Sequence, residues 1–418
     1  MGRRLATSLA VIATLAALLY PTAANARGAG RYIVVLEDSV SNSRAVAAEH
    51  SARFGARVSH VYRHALKGYA ATLSSARLAA LRSDSRVAFV SEDREVRAAL
   101  QTLPTGVNRI EGDQSSTFSG NGSGSVNVPV AIIDTGIDLD HPDLNVVGGK
   151  NCSKGKSFDD GNGHGTHVAG TVAARDNADG VVGVAPGAPL YSVRVLNNAG
   201  FGSWASVVCG IDWVTANAAS TGIKVANMSL GGSGSDDNNC GNTNNDALHR
   251  AICRSVAAGV TYVVAAGNSN ANLSGFVPAA YNEVLSVSAM ADFNGSPGGG
   301  AAPTCRSDVD ETAADFSNFA TSTNDSGHTI AAPGVCILST WKGGGYNTIS
   351  GTSMASPHAA GAAALCIAGP CAGMSPSQVR NRLRNDAAAQ PASYGFAGDP
   401  GSPVGSRYYG YLLYVGGY

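Results

Sequence analysis

The first 151 residues of this 418-residue chain hold no cysteine, and nowhere do two cysteines form a Cys-x2-Cys pair. That spacing argues against a thiolate metal centre, while an even count of eight in an exported chain argues for disulfides. Beyond residue 20 no segment is long and apolar enough to span a bilayer. Charge of either sign is not in surplus either: 29 basic against 30 acidic residues leave a net −1, and no nucleic-acid partner is expected. What the chain does have at its start is Gly2-Arg3-Arg4, an apolar stretch from Leu5 to Tyr20, and Ala24-Asn25-Ala26. These read as the charged region, apolar core and cut site of an export leader over 1–26, cleaved after Ala26, leaving a soluble, secreted product.

Three short islands carry chemistry. Ala131-Ile132-Ile133-Asp134-Thr135-Gly136 is an apolar strand ending in a carboxylate. His164-Gly165-Thr166-His167-Val168-Ala169-Gly170 opens a helical stretch with an imidazole, and Gly351-Thr352-Ser353-Met354-Ala355-Ser356-Pro357-His358 opens another with a hydroxyl. A serine hydroxyl needs a base to take its proton and a fixed anion to hold that base. Asp134, His164 and Ser353 supply all three, mounted on strand and helix ends, with a helix N-terminus beside the nucleophile. Taken singly, each island reads as a turn, a loop residue or an N-cap. Asn268, after the apolar Tyr262-Val263-Val264-Ala265, reads singly as a turn residue, or as a donor placed where a tetrahedral oxyanion develops charge.

In this order the three strings closely resemble the subtilisin-like serine proteases, the subtilases, from about Gln101 to Val415. The resemblance implies Asp134, His164 and Ser353 as the triad and Asn268 as the side-chain oxyanion donor. It also implies that Gly200-Phe201-Gly202-Ser203 and Ser229-Leu230-Gly231-Gly232 pair with an extended peptide as added strands, where glycine lets a backbone approach closely. The first side-chain pocket is then expected from Ala265, Ala266 and Gly267 with Phe276 at its base, and a second apolar pocket from Trp204, Val207 and Leu230. No acidic residue is evident among these positions, so the expected preference is for apolar or aromatic residues before the cut, with broad tolerance.

Calcium is implied by the same resemblance. Gln101, Asp143 and Asn177 match side-chain ligands of a family site, to which Arg175, Asp179 and Val181 would add carbonyls; six such oxygens suit a hard cation. The loop also reads as merely a solvated acidic loop. A second family site near Asn282 and Val284 is expected to be impaired, because Thr329 stands at its carboxylate position, and Asp113 with Asp386 suggests another.

Residues 27–99 alternate strand and helix signals in a β-α-β-β-α-β pattern, that of a small ferredoxin-like α+β fold, and resemble the subtilase inhibitor propeptide. They hold 12 basic against 7 acidic residues, net +5, whereas residues 100–418 hold 15 against 23, net −8; opposite charges favour association. By the resemblance this propeptide is an intramolecular chaperone and inhibitor, removed by the enzyme itself near Ala99–Leu100. A permanent N-terminal domain is the alternative.

Residues 100–418 alternate apolar strands with helices, as an α/β domain built on a doubly wound, mostly parallel sheet requires. Tyr408 to Val415 reads as its closing strand. Sequential pairing is expected of the cysteines: Cys152 with Cys209, Cys240 with Cys253, Cys305 with Cys336 and Cys366 with Cys371. A silent subtilase fold used for binding would lack members of the Asp134, His164, Asn268 and Ser353 set, and an α/β-hydrolase esterase would carry its triad in the order Ser, acid, His. A monomeric endopeptidase acting on polypeptides is the reading that remains.

Overall fold

The computed structural model describes residues 29–93 and 101–418, so the leader, its cut after Ala26 and the cut near Ala99–Leu100 lie outside the described residues. The chain divides into two units on either side of residues 97 and 98. In the first, β1 (Ala29–Leu36), α1 (Ser43–Phe54), β2 (Arg57–Tyr62), β3 (Gly68–Ser74), α2 (Ser75–Arg82) and β4 (Val87–Glu92) give the expected element order. The sheet runs β2-β3-β1-β4, antiparallel throughout. Val34 and Leu36 of the central strand bury against Val46 and Phe54 of α1 and Leu81 of α2, which is the core this small unit has.

In the second unit the elements are α3 (Thr105–Arg109), β5 (Val130–Asp134), β6 (Val146–Asn151), α4 (His164–Ala173), β7 (Leu190–Arg194), α5 (Trp204–Thr221), β8 (Val225–Met228), β9 (Gly232–Ser233), α6 (Ala247–Ala257) and β10 (Thr261–Ala265). There follow β11 (Phe276–Val277), β12 (Leu285–Ala291), β13 (Thr312–Ala313), α7 (Thr323–Ser326), β14 (Thr329–Pro333), β15 (Ile337–Trp341), β16 (Gly345–Ile349), α8 (Thr352–Ala368) and α9 (Pro376–Ala388). Seven strands lie parallel in the order β6-β7-β5-β8-β10-β12-β14, and the short β13 pairs antiparallel with β12. All residues of β5, β8, β10, β12 and β14 are buried, as a sheet covered on both faces demands. Along β5 the side chains alternate: Val130 and Ile132 enter the core shared with α4 and α8, Ala131 and Ile133 the one shared with α5 and α6.

Three features depart from the sequence reading. Strand β6 carries Gly148-Gly149-Lys150 and so has no apolar pattern to betray it; the parallel partner β7 recruits it. The hairpin β15-β16, for which the sequence reading assigned no element, packs on α4 through β15. Tyr408 to Val415 is not a continuous strand: Leu412 bridges to Ala331 of β14, while Tyr408 bridges to Ala320 in the loop before α7. Gly410 breaks it, with φ at +89° and the Ile330 Cα only 2.6 Å from where a Cβ would stand. All four disulfides pair sequentially, as expected.

Candidate active site

Asp134 ends β5 at the carboxyl edge of the sheet, His164 is the first residue of α4, and Ser353 is the second residue of α8. His164 Nδ1 stands 2.8 Å from Asp134 Oδ1, which also accepts the Thr135 N–H at 2.7 Å. Asp134 is fully buried while a quarter of the His164 side chain is exposed, so the pair presents its imidazole edge to the cleft. Burial pushes the His164 pKa down, but Asp134 beside it and Asp160 behind it outweigh this and raise it above the ordinary histidine value. Ser353 Oγ turns to the carbonyl of Ser229 at 3.3 Å, and its helix N-terminus supplies partial positive charge there.

Asp160 is the hub that the sequence did not reveal. Its Oδ1 accepts from Thr135 Oγ1, Asn162 N and Gly163 N, and its Oδ2 from Thr166 N and Oγ1, all within 3.0 Å. One buried carboxylate thereby joins the end of β5 to the start of α4, which fixes His164 against Asp134. Gly163 has φ at +114°, and a Cβ there would meet the Trp341 ring at 2.4 Å, so only glycine admits the chain at this point.

Asn268 is held by Thr352. Its Oδ1 accepts from Thr352 N and Thr352 Oγ1, each at 2.8 Å, which assigns oxygen and nitrogen on the amide and leaves Nδ2 as a donor. Asn318 in turn binds Ser269 N, Ala271 N and the Ala266 carbonyl, holding the whole turn after β10. Neither Thr352 nor Asn318 was singled out from the sequence; Thr352, next to Ser353 in the Gly-Thr-Ser string, could have been.

Two adjoining cavities share Leu230 and Gly231. The larger, about 650 Å³, is lined by His164, Gly200, Gly202, Ser203, Trp204, Val207, Ser229, Leu230 and Gly231. The smaller, about 350 Å³, is lined by Ala265, Ala266, Gly267, Asn268, Phe276 and Ser353. The structure thus gathers every expected substrate residue beside His164 or Ser353, and adds Thr135, Asn162 and Ser269 to them. No carboxylate lines either cavity among the described residues.

The residues expected to hold calcium also converge. Gln101 Nε2 lies 2.6, 3.3 and 3.0 Å from the carbonyls of Arg175, Asp179 and Val181, more acceptors than its two hydrogens serve, while Gln101 Oε1 is buried without a partner among the described residues. Turning that amide over would place Oε1 with three carbonyls, an all-oxygen cage. Asp143 is buried beside the same loop, its Oδ2 accepting from Val181 N at 3.0 Å and its Oδ1 from Asn177 Nδ2 at 3.2 Å, and burial raises its pKa above the ordinary aspartate value. The donor set fits a hard cation. At the second expected position Arg380 Nη1 donates to the Asn282 carbonyl and approaches that of Val284 at 3.4 Å, so a guanidinium already serves these oxygens, and Thr329 gives its hydroxyl to the Asp325 carbonyl. Asp386 accepts from Arg382, and neither it nor Asp113 belongs to any metal-competent cluster of acidic, histidine and cysteine side chains among the described residues.

Comparisons with known proteins agree with this geometry. Residues 125–411 match the subtilase family and residues 31–99 match the peptidase inhibitor I9 family. Subtilisin DY of Bacillus licheniformis is 43% identical over 293 residues, 69% of this chain and 92% of the relative. Subtilisin E of Bacillus subtilis (strain 168) is 36% identical over 364 residues, 85% of each chain. The crystal structure of a cold adapted subtilisin-like serine proteinase aligns with TM-score 0.55 and 31% identity, covering 74% of this chain and 97% of that one. The chain belongs to the subtilase family, and is a subtilisin-type serine peptidase that carries an I9 inhibitor region of its own.

Proposed function

We propose that this enzyme is a secreted, monomeric endopeptidase of broad specificity, released from its own inhibitor region by self-cleavage. The observation that carries it is the Asp134–His164 contact of 2.8 Å, with His164 lining the larger cavity and Ser353 and Asn268 lining the smaller one that adjoins it. In this reading His164 Nε2 takes the Ser353 proton as Oγ attacks the scissile carbonyl, and buried Asp134 stabilises the imidazolium that forms. Asn268 Nδ2 donates to the oxyanion, and His164 returns its proton to the leaving amine. The apolar linings and the absence of a carboxylate among them support apolar or aromatic residues before the cut.

Residues 27–99 act as chaperone and inhibitor and are cut near Ala99–Leu100, giving a mature domain of residues 100–418 after loss of a leader over 1–26. Calcium held by Gln101, Asp143, Asn177 and the carbonyls of Arg175, Asp179 and Val181 supplies stability, and no catalytic step passes through it. The reading is tested with Ser353→Ala, which should fold but remain joined to residues 27–99, with casein hydrolysis down by about 10^6-fold. Normal maturation of the purified variant, with no other protease present, refutes self-processing.

A further inference from the structure

We propose that Asp236, Asp237 and His249 form a site for a divalent metal of the zinc class, separate from the catalytic cleft and from the cage around Gln101. His249 lies on α6 with its side chain fully buried, and the side chains of Asp236 and Asp237 are 7% and 5% exposed. Its Nε2 stands 2.8 Å from Glu283 Oε2, and its ring stacks on Tyr281 with centroids 4.0 Å apart and planes 3° from parallel. A carboxylate on the far nitrogen is how proteins orient a histidine that ligates metal through the near one.

Among the described residues the near nitrogen, Nδ1, has no hydrogen-bond partner, and neither has the buried Asp236 Oδ2. Nδ1 faces Asp237 Oδ1 at 3.3 Å and Asp236 Oδ1 at 3.5 Å. A neutral imidazole with its proton on Nε2 turns a lone pair towards these two carboxylates, which is repulsive; a cation between them relieves it, as would a second proton on the ring. The distances exceed those of ordinary N–H···O bonds, yet two ligand atoms about 2.1 Å from a tetrahedral zinc stand about 3.4 Å apart. Imidazole with carboxylate selects zinc over calcium.

The loop is built to hold these groups still. Asp237 Oδ1 accepts from Asn239 N and Gly241 N, its Oδ2 from Thr243 N and Asn244 N, and Asp236 Oδ1 accepts from Asn238 N. Cys240 and Cys253, close by, are joined to each other and so are not ligands. The loop follows β9, which pairs with β11 beside the smaller cavity, and Glu283 follows β11. A metal here fastens the loop after β9 to α6, while His249 Nε2 already holds Glu283 beyond β11.

The test uses the enzyme blocked with a serine-reactive inhibitor, stripped of metal and titrated with zinc chloride. One zinc per chain should bind and survive gel filtration, raising the melting temperature; Asp236→Asn and His249→Gln should each lose that ion and that rise, while Asp143→Asn keeps both. Asp236→Asn is isosteric and keeps an acceptor for Asn238 N, so it decides the matter if His249→Gln does not fold. In zinc-soaked crystals of the parent the anomalous peak should lie within about 2.3 Å of His249 Nδ1. No uptake at micromolar zinc, equal uptake by parent and Asp236→Asn, or a peak elsewhere overturns the proposal, and a proton on Nδ1 then neutralises the cluster.

Discussion

Asn268 Oδ1 accepts two hydrogen bonds from one residue, Thr352 N and Thr352 Oγ1, both at 2.8 Å. The amide cannot rotate without breaking both, so its Nδ2 is aimed before substrate arrives, which is the preorganisation that oxyanion stabilisation requires. Asn268→Leu should lower turnover by about 10^2 to 10^3-fold with little change in KM. Thr352→Val keeps the backbone donor and loses the hydroxyl, and should lower turnover by about tenfold, the worth of one hydrogen bond. Steady-state kinetics on a peptide substrate decide it. Turnover within a factor of about three of the parent in Asn268→Leu makes Asn268 a turn residue only.

The pH profile follows from the surroundings of His164. Burial lowers its pKa, and Asp134 and Asp160 more than reverse that. A general base must be neutral to act, so kcat/KM should fall as pH drops through a value above that of free histidine. Asp134→Asn removes the nearest negative charge, so the acid limb should move to lower pH while the plateau falls by about 10^4-fold. An acid limb that stays in place in that variant assigns it to another group.

The proposed triad was legible because each member sits in a short local string, Asp134 at the end of an apolar strand and His164 and Ser353 at the starts of helices. The ferredoxin-like pattern and the main strands were legible because their apolar periodicity is local too. Asp160 and Asn318 were not: Asp160 ties the start of α4 to Thr135, 25 positions back, and Asn318 reaches Ala266, Ser269 and Ala271, 47 to 52 positions back. Strand β6 was hidden by its glycines, and the break at Gly410 depends on where Ile330 lies, which no stretch around residue 410 encodes. Arg380 at the carbonyls of Asn282 and Val284 lies almost a hundred residues from them, so the sequence pointed to a missing carboxylate but not to the cation that serves the site.

A stability prediction rests on Arg109, which is 1% exposed. It binds Glu311 through Nε at 2.7 Å and Nη2 at 2.6 Å, and the Tyr394 carbonyl at 2.6 Å, tying α3 to segments two to three hundred residues away. Glu311→Ala leaves a buried guanidinium without its anion and should cost about 3–5 kcal/mol, whereas Arg109→Met with Glu311→Leu together should cost far less. Denaturant unfolding of the inhibited enzyme measures both. Equal losses in the single and double variants mean that packing, not charge, is what Glu311 contributes.

Calcium should set the lifetime of the enzyme rather than its chemistry. Gln101 comes from the start of the second unit, Asp143 from the segment after β5, and Arg175 to Val181 from the loop after α4, so one ion joins three parts distant in sequence. None is a proposed triad member, and a serine nucleophile needs no metal-bound water. Removing calcium should therefore leave initial rates nearly intact, lower the melting temperature and speed self-digestion at the freed loop. An ion that binds only the folded state adds about 2.7 kcal/mol at a hundredfold its dissociation constant. Asp143→Ala should match the calcium-free parent and ignore added calcium, while Asp236→Asn should still respond, which separates this cage from the His249 cluster. Equal melting temperatures of the parent with and without calcium sink the idea, and so does an immediate loss of activity on its removal, which would put a metal in the chemistry.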